Sequence, residues 1–162
     1  MHTLSTAPSA PKVPLILYTI GEAADLIGIA IPTIRMYERE GLIIPMRRHS
    51  KHRRFSQSDI ERIRCIRRMI NEEKVSIAGI QRLLSLIPCW RIKNCPAEAR
   101  AKCVAFVGHE LPCWMVTGKS WECKSTECRL CPAYTDFGDC HAVKEVIASY
   151  TVGTTQPPSI QL

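Results

Sequence analysis

Eight of the nine cysteines fall between Cys89 and Cys140, and this crowding divides the chain more sharply than any other feature. A short segment so rich in thiols obtains its folding energy from cross-links or from metal ligation more readily than from an aliphatic core. At 162 residues with 46% hydrophobic content, the chain can bury one core of ordinary size, and the rest must be a small appended module. No apolar run approaches the roughly 18 to 20 residues that span a bilayer. The opening MHTLSTAPSAPKVPLIL carries neither a basic n-region nor a small-residue cleavage site. The expected location is cytoplasmic. Thiols are kept reduced there, so metal coordination or thiol chemistry explains the cysteines better than structural disulfides.

The organisation follows from punctuation. Residues 1–14, with three prolines among Ser, Thr and Ala, are expected to be a disordered tail. From residue 15 to 87 the pattern is helical. Thr19 and Glu22 form a capping-box pair ahead of Ile20, Ala23, Ala24 and Ile27, with Gly28 as the stop. Pro32 suits the first position of a second helix, in which Ile34 and Tyr37 face inward and Gly41 ends the run. Two short helices joined by a tight turn predict a helix-turn-helix. Between Pro45 and Phe55 helical spacing is lost, and Arg47, Arg48, Lys51, Arg53 and Arg54 accumulate around His49 and His52, which predicts a basic hairpin or wing. Ser56 and Asp59 make a second capping box. The helix they lead sets Ile60, Ile63, Ile66, Met69 and Ile70 on one side, with Arg62, Arg64, Arg67 and Arg68 expected on a solvated face. Ser76 caps a fourth helix whose apolar face is expected from Ile77, Ile80, Leu83, Leu84 and Ile87. The predicted fold class is mainly α: a winged helix-turn-helix domain of four helices and a small β wing, then a small irregular Cys-rich metal-binding module at 88–145. Within that module only Ala97 to Val107 offers a helical window. Residues 146–162 are expected to be a flexible tail.

Charge supports a polyanionic partner for the first half. Of the formal net charge of +7, residues 1–87 carry 14 Lys and Arg against 8 Asp and Glu, and residues 88–162 carry 8 against 7. The order helix-turn-helix, basic wing, helix, helix resembles the DNA-binding domain of the MerR family of transcriptional regulators. The resemblance is carried by TIGEAADLIGI at Thr19 and TIRMYEREGLI at Thr33. The stretches KHRRFSQSDIERIRCI at Lys51 and EEKVSIAGIQRLLSL at Glu72 look most like the heat-shock repressor (HspR) branch. Three departures stand out: the wing has no Gly, no sustained heptads follow the domain where the family has a long dimerisation helix, and the region beyond matches no known effector domain.

In a helix-turn-helix the second helix enters the major groove and flanking elements grip phosphates. Thr33, Arg35 and Met36 are the candidates for groove contacts; Thr19, Arg39, Arg47, Arg48 and Lys51 join them as candidate DNA-binding residues. The resemblance implies phosphate contacts for Tyr37, Arg53 and Arg54. The alternative for Tyr37 is a core position, given its spacing from Ile34. The wing run bears no acid of its own, which favours phosphate binding over a merely solvated face.

The cysteine region repeats itself. PCW occurs at Pro88 and again at Pro112; Cys95 and Cys103 are spaced as Cys123 and Cys131 are, and the second member leads into Val-Ala-Phe in one copy and Pro-Ala-Tyr in the other. The result is two divergent copies of CW...C-x7-C-x-A-[FY], similar to the two-CW cysteine-rich modules of some anaerobic bacterial proteins. Cys113, Cys123, Cys128 and Cys131 are the candidate ligands of one site, and Cys89, Cys95 and Cys103, with Cys140 or His109, those of a second. The C-x4-C-x2-C run suits zinc or an iron-sulfur cluster; it does not match the SoxR redox sensors of the same family. Buried small hydrophobes or free thiols are the bland alternative. Cys65, in a helix of Ile and Arg, is read as structural, and His141 as a possible ligand beside Cys140.

The expected function is a sequence-specific DNA-binding transcriptional regulator, a homodimer on an inverted-repeat operator in double-stranded DNA, whose Cys-rich module senses redox state or metal. One alternative is a regulator with a purely structural zinc module. Another, a metalloenzyme or electron carrier, finds no P-loop, dinucleotide fingerprint, nucleophile elbow or paired carboxylates to support it, so no enzymatic activity is expected.

Overall fold

The computed structural model describes residues 16–47, 52–108, 110–124, 127–138 and 143–151. Arg48, His49, Lys51, His109, Cys140, His141 and both ends of the chain, 1–15 and 152–162, lie outside the described residues. The chain is mainly helical with one small sheet.

The caps expected from sequence form. Helix α1, Ile20–Ile27, begins with a reciprocal box: Thr19 Oγ1 accepts from the Glu22 N–H, and the Glu22 carboxylate accepts from the Thr19 N–H at 2.6 Å. Gly28, at φ 71°, ends it in the left-handed conformation with its N–H on Ala24 O. Helix α2, Ile31–Arg39, starts from Ala30, one residue earlier than Pro32 suggests. Helix α3, Gln57–Asn71, has the Ser56–Asp59 box, and α4, Ile77–Ser85, is capped by Ser76, whose Oγ accepts from the Gly79 N–H.

The wing is a pair of short strands, β2 (Met46–Arg47) and β3 (Arg53–Ser56), paired antiparallel with Met46 opposite Arg54. A further strand, β1 (Leu17–Tyr18), was not expected. It pairs with the other edge of β3, Leu17 opposite Ser56 and Tyr18 opposite Phe55, giving the order β1-β3-β2. Two residues are too short a run to show period-two alternation. The main core lies where this sheet meets α1, α2 and α3, around Ile34, Leu42, Phe55, Ile60 and Ile63.

Two expectations about the third and fourth helices hold only in part. Of the four α3 arginines, Arg64 alone is exposed. Arg64 and Arg67 donate to Leu26 O and Ile27 O, the unpaired carbonyls at the end of α1, at 3.0 and 2.9 Å. Arg68 pairs with Glu73, and Arg62, only 5% exposed, points into the second half of the molecule. Leu83 is 52% exposed and Ile87 belongs to a different cluster, so the inward face of α4 is narrower than its sequence suggests.

The cysteine region is built from short pieces: α5 (Cys89–Ile92), α6 (Ala97–Ala101), α7 (Val104–Val107), α8 (Trp121–Lys124), a 3-10 turn (Cys128–Leu130), α9 (Pro132–Thr135) and α10 (Val143–Thr151). The expected helical window breaks between α6 and α7, at Lys102 and Cys103. Helix α10 crosses the boundary at 146, so the tail expected there is helical as far as Thr151. The sequence repeat is also a packing repeat. In each copy the CW tryptophan meets the terminal aromatic edge to face: Trp90 with Phe106 at 5.2 Å and 81°, Trp114 with Tyr134 at 5.3 Å and 89°. The intervening alanines, Ala105 and Ala133, are buried in both, and an arginine lies over each aromatic ring, Arg100 over Phe106 and Arg62 over Tyr134.

Candidate nucleic-acid interface

Helix α2 alternates inward and outward residues because its apolar positions are spaced three apart. Ile34 and Tyr37 go into the core, while Arg35 and Arg39, four residues apart, share the exposed face. Among the described residues neither arginine has an ion-pair partner, so both cations are available to a polyanion. Thr33 is half-buried in the first turn of the helix. Met36 is half-buried, packed on one side against the core. Tyr37 is 4% exposed and part of the core. Burial pushes its phenol above the usual range, and its ring packs in the core as the spacing from Ile34 suggested. Thr19 spends its oxygen on the α1 cap.

The wing lacks an acid in sequence but not in space. Glu38, from α2, accepts from Arg47 Nη2 at 3.0 Å and from Arg53 Nε at 2.5 Å. One carboxylate therefore ties both strands of the wing to the helix carrying Arg35 and Arg39. This fixes the angle between the two cationic surfaces, and each guanidinium keeps further N–H groups for other acceptors. Arg54 is half-buried on β3. Sequence spacing could not reveal Glu38, because it lies nine residues from one partner and fifteen from the other.

The second half of the molecule grips the connector between α2 and β2, and this was missed in sequence. Trp114 Nε1 donates to Gly41 O at 2.7 Å, and the Ile44 N–H donates to Tyr134 Oη at 2.8 Å. Arg129 donates to Ile44 O and, with both terminal nitrogens, to the Asp59 carboxylate, at 3.0 Å to Oδ1 and 2.5 Å to Oδ2. Arg129 and Asp59 are 7% and 3% exposed. The same guanidinium reaches Ser56 Oγ at 3.3 Å. Arg62 donates to Tyr134 O and lies 3.9 Å from the centre of its ring. The only signal in sequence was the repeat itself, whose Trp and Tyr prove to be the contact residues.

Seven of the cysteines, Cys89, Cys95, Cys103, Cys113, Cys123, Cys128 and Cys131, are free thiols; Cys65 is disulfide-bonded, against the expectation that none would be. Cys113, Cys123, Cys128 and Cys131 line one small cavity of about 20 Å³ with Lys93, Lys119 and Tyr134. Lys119 Nζ sits 3.1 Å from Cys128 Sγ. The two expected ligand sets are not separate, however. Cys89 and Cys113, the CW cysteines of the two copies, act on each other, and the interaction lowers the Cys89 thiol and raises that of Cys113. Cys123 lies within electrostatic reach of Cys95, Cys89 and Cys103, and burial raises both Cys95 and Cys123. Among the described residues no three His, Cys, Asp or Glu side chains are spaced to hold a metal ion. The donor chemistry suits a thiophilic metal; a closed coordination shell is not formed. Also among the described residues, no helix is long and apolar enough to cross a membrane.

Comparison with known proteins places the first half. Residues 18–87 match the family described as MerR HTH family regulatory protein. The heat shock protein HspR of Streptomyces coelicolor is 39% identical over 86 residues, covering 53% of each chain. The HTH-type transcriptional regulator MlrA of Escherichia coli is 44% identical over 70 residues, 43% of this chain and 28% of that protein. The mercuric resistance operon regulatory protein of Bacillus cereus is 39% identical over 71 residues, 43% of this chain and 53% of that protein. The chain thus spans about half or less of the length of these relatives. No solved structure matches it significantly.

Proposed function

We infer that the protein is a DNA-binding transcriptional regulator, proceeding from the match of residues 18–87 to the MerR helix-turn-helix family. The observation that carries the reading is the joining of two cationic surfaces by one acid. Glu38 holds Arg47 and Arg53 of the wing against the helix whose outer face presents Arg35 and Arg39. In this reading Arg35 reaches base edges from the major groove and Arg39, Arg47, Arg53 and Arg54 neutralise phosphates. Glu38 sets the separation of the two groups of contacts. The regulator acts as a homodimer in the cytoplasm, and selection from a random duplex pool should return an inverted repeat. Arg35→Ala should then cost about 1–3 kcal/mol at one base position and relax preference there, leaving the rest of the site unchanged. A pool that yields no preferred sequence, or an Arg35→Ala protein with the native preference, overturns the reading.

For the cysteine module we propose metal ligation by Cys113, Cys123, Cys128 and Cys131, with Cys89, Cys95 and Cys103 as further donors. It is supported by four thiols around one cavity and by the presence of metal-responsive regulators among the relatives. An iron-sulfur cluster would make the module a redox sensor, and zinc would make it a structural clip. Anaerobic purification followed by metal and sulfide quantification separates the two. Protein that is folded, metal-free and fully reactive toward thiol reagents would sink both.

A further inference from the structure

The wing is a hairpin whose two feet stand on one residue of the cysteine module. Its first foot is Ile44, two residues before β2, and its second is Ser56, which ends β3 and caps α3. Arg129 donates to Ile44 O on one side and to Ser56 Oγ and Asp59 on the other. Asp59 itself accepts from the Ser56 N–H and hydroxyl at 2.7 Å. The guanidinium is the only cation that pairs with the Asp59 carboxylate among the described residues, and it is buried, so the bond cannot be exchanged cheaply for water. Tyr134 and Trp114 hold Ile44 N–H and Gly41 O of the same connector. Among the described residues, no comparable set of hydrogen bonds from the module reaches α1 or the exposed face of α2.

We propose that Arg129 is a positioning residue for DNA binding, through which the cysteine module sets the placement of the wing and its phosphate-contacting arginines. The inference rests on the DNA-binding reading above. Arg129 lies in the 3-10 turn between Cys128 and Cys131, two of the four thiols that line the small cavity. Any change in how those two sulfurs are held, by ligation or by modification, moves the backbone that carries the guanidinium. A planar fork that must serve Ile44 O, Ser56 Oγ and both Asp59 oxygens together tolerates little displacement. The feet of the wing are then free to shift, and only the solvent-facing ion pairs of Glu38 with Arg47 and Arg53 still tie it to α2, while the aliphatic core beneath it stays packed.

The test uses the full chain and a duplex of random sequence, so that no operator need be known. Arg129→Gln is combined with Asp59→Asn, which avoids a buried unpaired carboxylate and keeps an oxygen for the α3 cap; Arg129→Lys, which keeps the charge but not the fork, is the second variant. Affinity is measured against salt concentration, and amide exchange is followed at Ile44 and along β2 and β3. The expected result is a fold retained by circular dichroism, faster exchange at Ile44 and the wing, and a log-log salt slope smaller by about 0.9 for each phosphate that the wing no longer neutralises. At about 0.1 M salt that corresponds to roughly eightfold weaker binding per phosphate. Arg129→Lys is expected to keep the fold and still show the shallower slope. A folded variant with the native slope overturns the proposal, whatever its stability, since a merely structural arginine would change melting and not the number of phosphates engaged. Should the native chain bind duplex without salt dependence, the DNA-binding reading itself falls. The exchange rates separate that outcome from the other, because they report on the hold of Arg129 without DNA.

Discussion

The two halves of this molecule are packed by different means. Among the described residues, the helix-turn-helix half has twelve buried residues in one cluster, most of them aliphatic and drawn from helices with sequence-encoded caps. The module has a cluster of five, two of them cysteines, and is otherwise held by two edge-to-face aromatic pairs and by hydrogen bonds to its neighbour. The dependence is unequal. The domain's core would be recognisable without the module, whereas Arg129, Tyr134 and Trp114 of the module find their polar partners at Asp59, Ile44 and Gly41 of the domain. A module that is weakly packed internally and strongly bonded to its neighbour can change its own state without unfolding that neighbour.

The largest effect that could break this contrast is a core truncation. Phe55→Ala, at the fully buried centre of β3, should cost about 3–5 kcal/mol in urea denaturation. Phe106→Ala in the module removes a half-buried ring and one edge contact and should cost about 1–2 kcal/mol. Equal costs would mean that the module is as tightly packed as the domain, and the contrast would fail.

A pair of glycines sharpens it. Gly28 and Gly41 both have left-handed backbones, φ 71° and 66°, so an added Cβ costs each about 1–2 kcal/mol of strain. They differ in what lies above them. At Gly28 nothing comes within 4 Å of a Cβ; at Gly41 the Cβ would sit 2.0 Å from Met115 Sδ of the module. Gly41→Ala should therefore exceed Gly28→Ala by about 1–3 kcal/mol, the usual range for overpacking, and adding Met115→Ala should remove most of the excess. If the two glycines cost the same by thermal denaturation, the module is not seated on the connector.

What could be read from the sequence follows the same division. Caps and apolar spacing act over three or four residues, so Thr19, Glu22, Ser56, Asp59, Gly28 and Gly41 disclosed α1, α2 and α3 and their ends. Partners that meet only through the fold left no local trace. Glu38 neutralises a wing that has no acid within it, Arg62 leaves an apparently solvated face to stack on Tyr134, and Asp59 serves a cap and a distant guanidinium at once. At Tyr37 the spacing from Ile34 pointed to the core, where the ring lies, and the family resemblance to a phosphate. In the cysteine region the repeat was legible as a pattern, but its aromatic positions turned out to be the contact-making ones, and its thiols interleave between copies instead of separating by copy.

The smallest effect asks whether the two copies are still equivalent. A double-mutant cycle on Trp90 and Phe106, each changed to Leu, should give a coupling of about 0.5–1.5 kcal/mol, the usual worth of an edge-to-face pair beyond its burial. The same cycle on Trp114 and Tyr134 starts from a nearly identical ring geometry, 5.3 Å and 89° against 5.2 Å and 81°. It should nevertheless show single-mutant costs larger than its counterpart's, because Trp114 Nε1 and Tyr134 Oη also serve Gly41 O and the Ile44 N–H, which are left wanting partners when the ring is replaced. The coupling itself should stay close to that of the first copy, since those two bonds go to different backbone groups and do not pass through the ring contact. Equal couplings with unequal single costs, measured by chemical denaturation, would describe a duplicated unit in which one copy packs and the other both packs and binds the domain. Equal single costs would mean that the bonds to the connector contribute nothing, and the asymmetry between the copies would disappear with them.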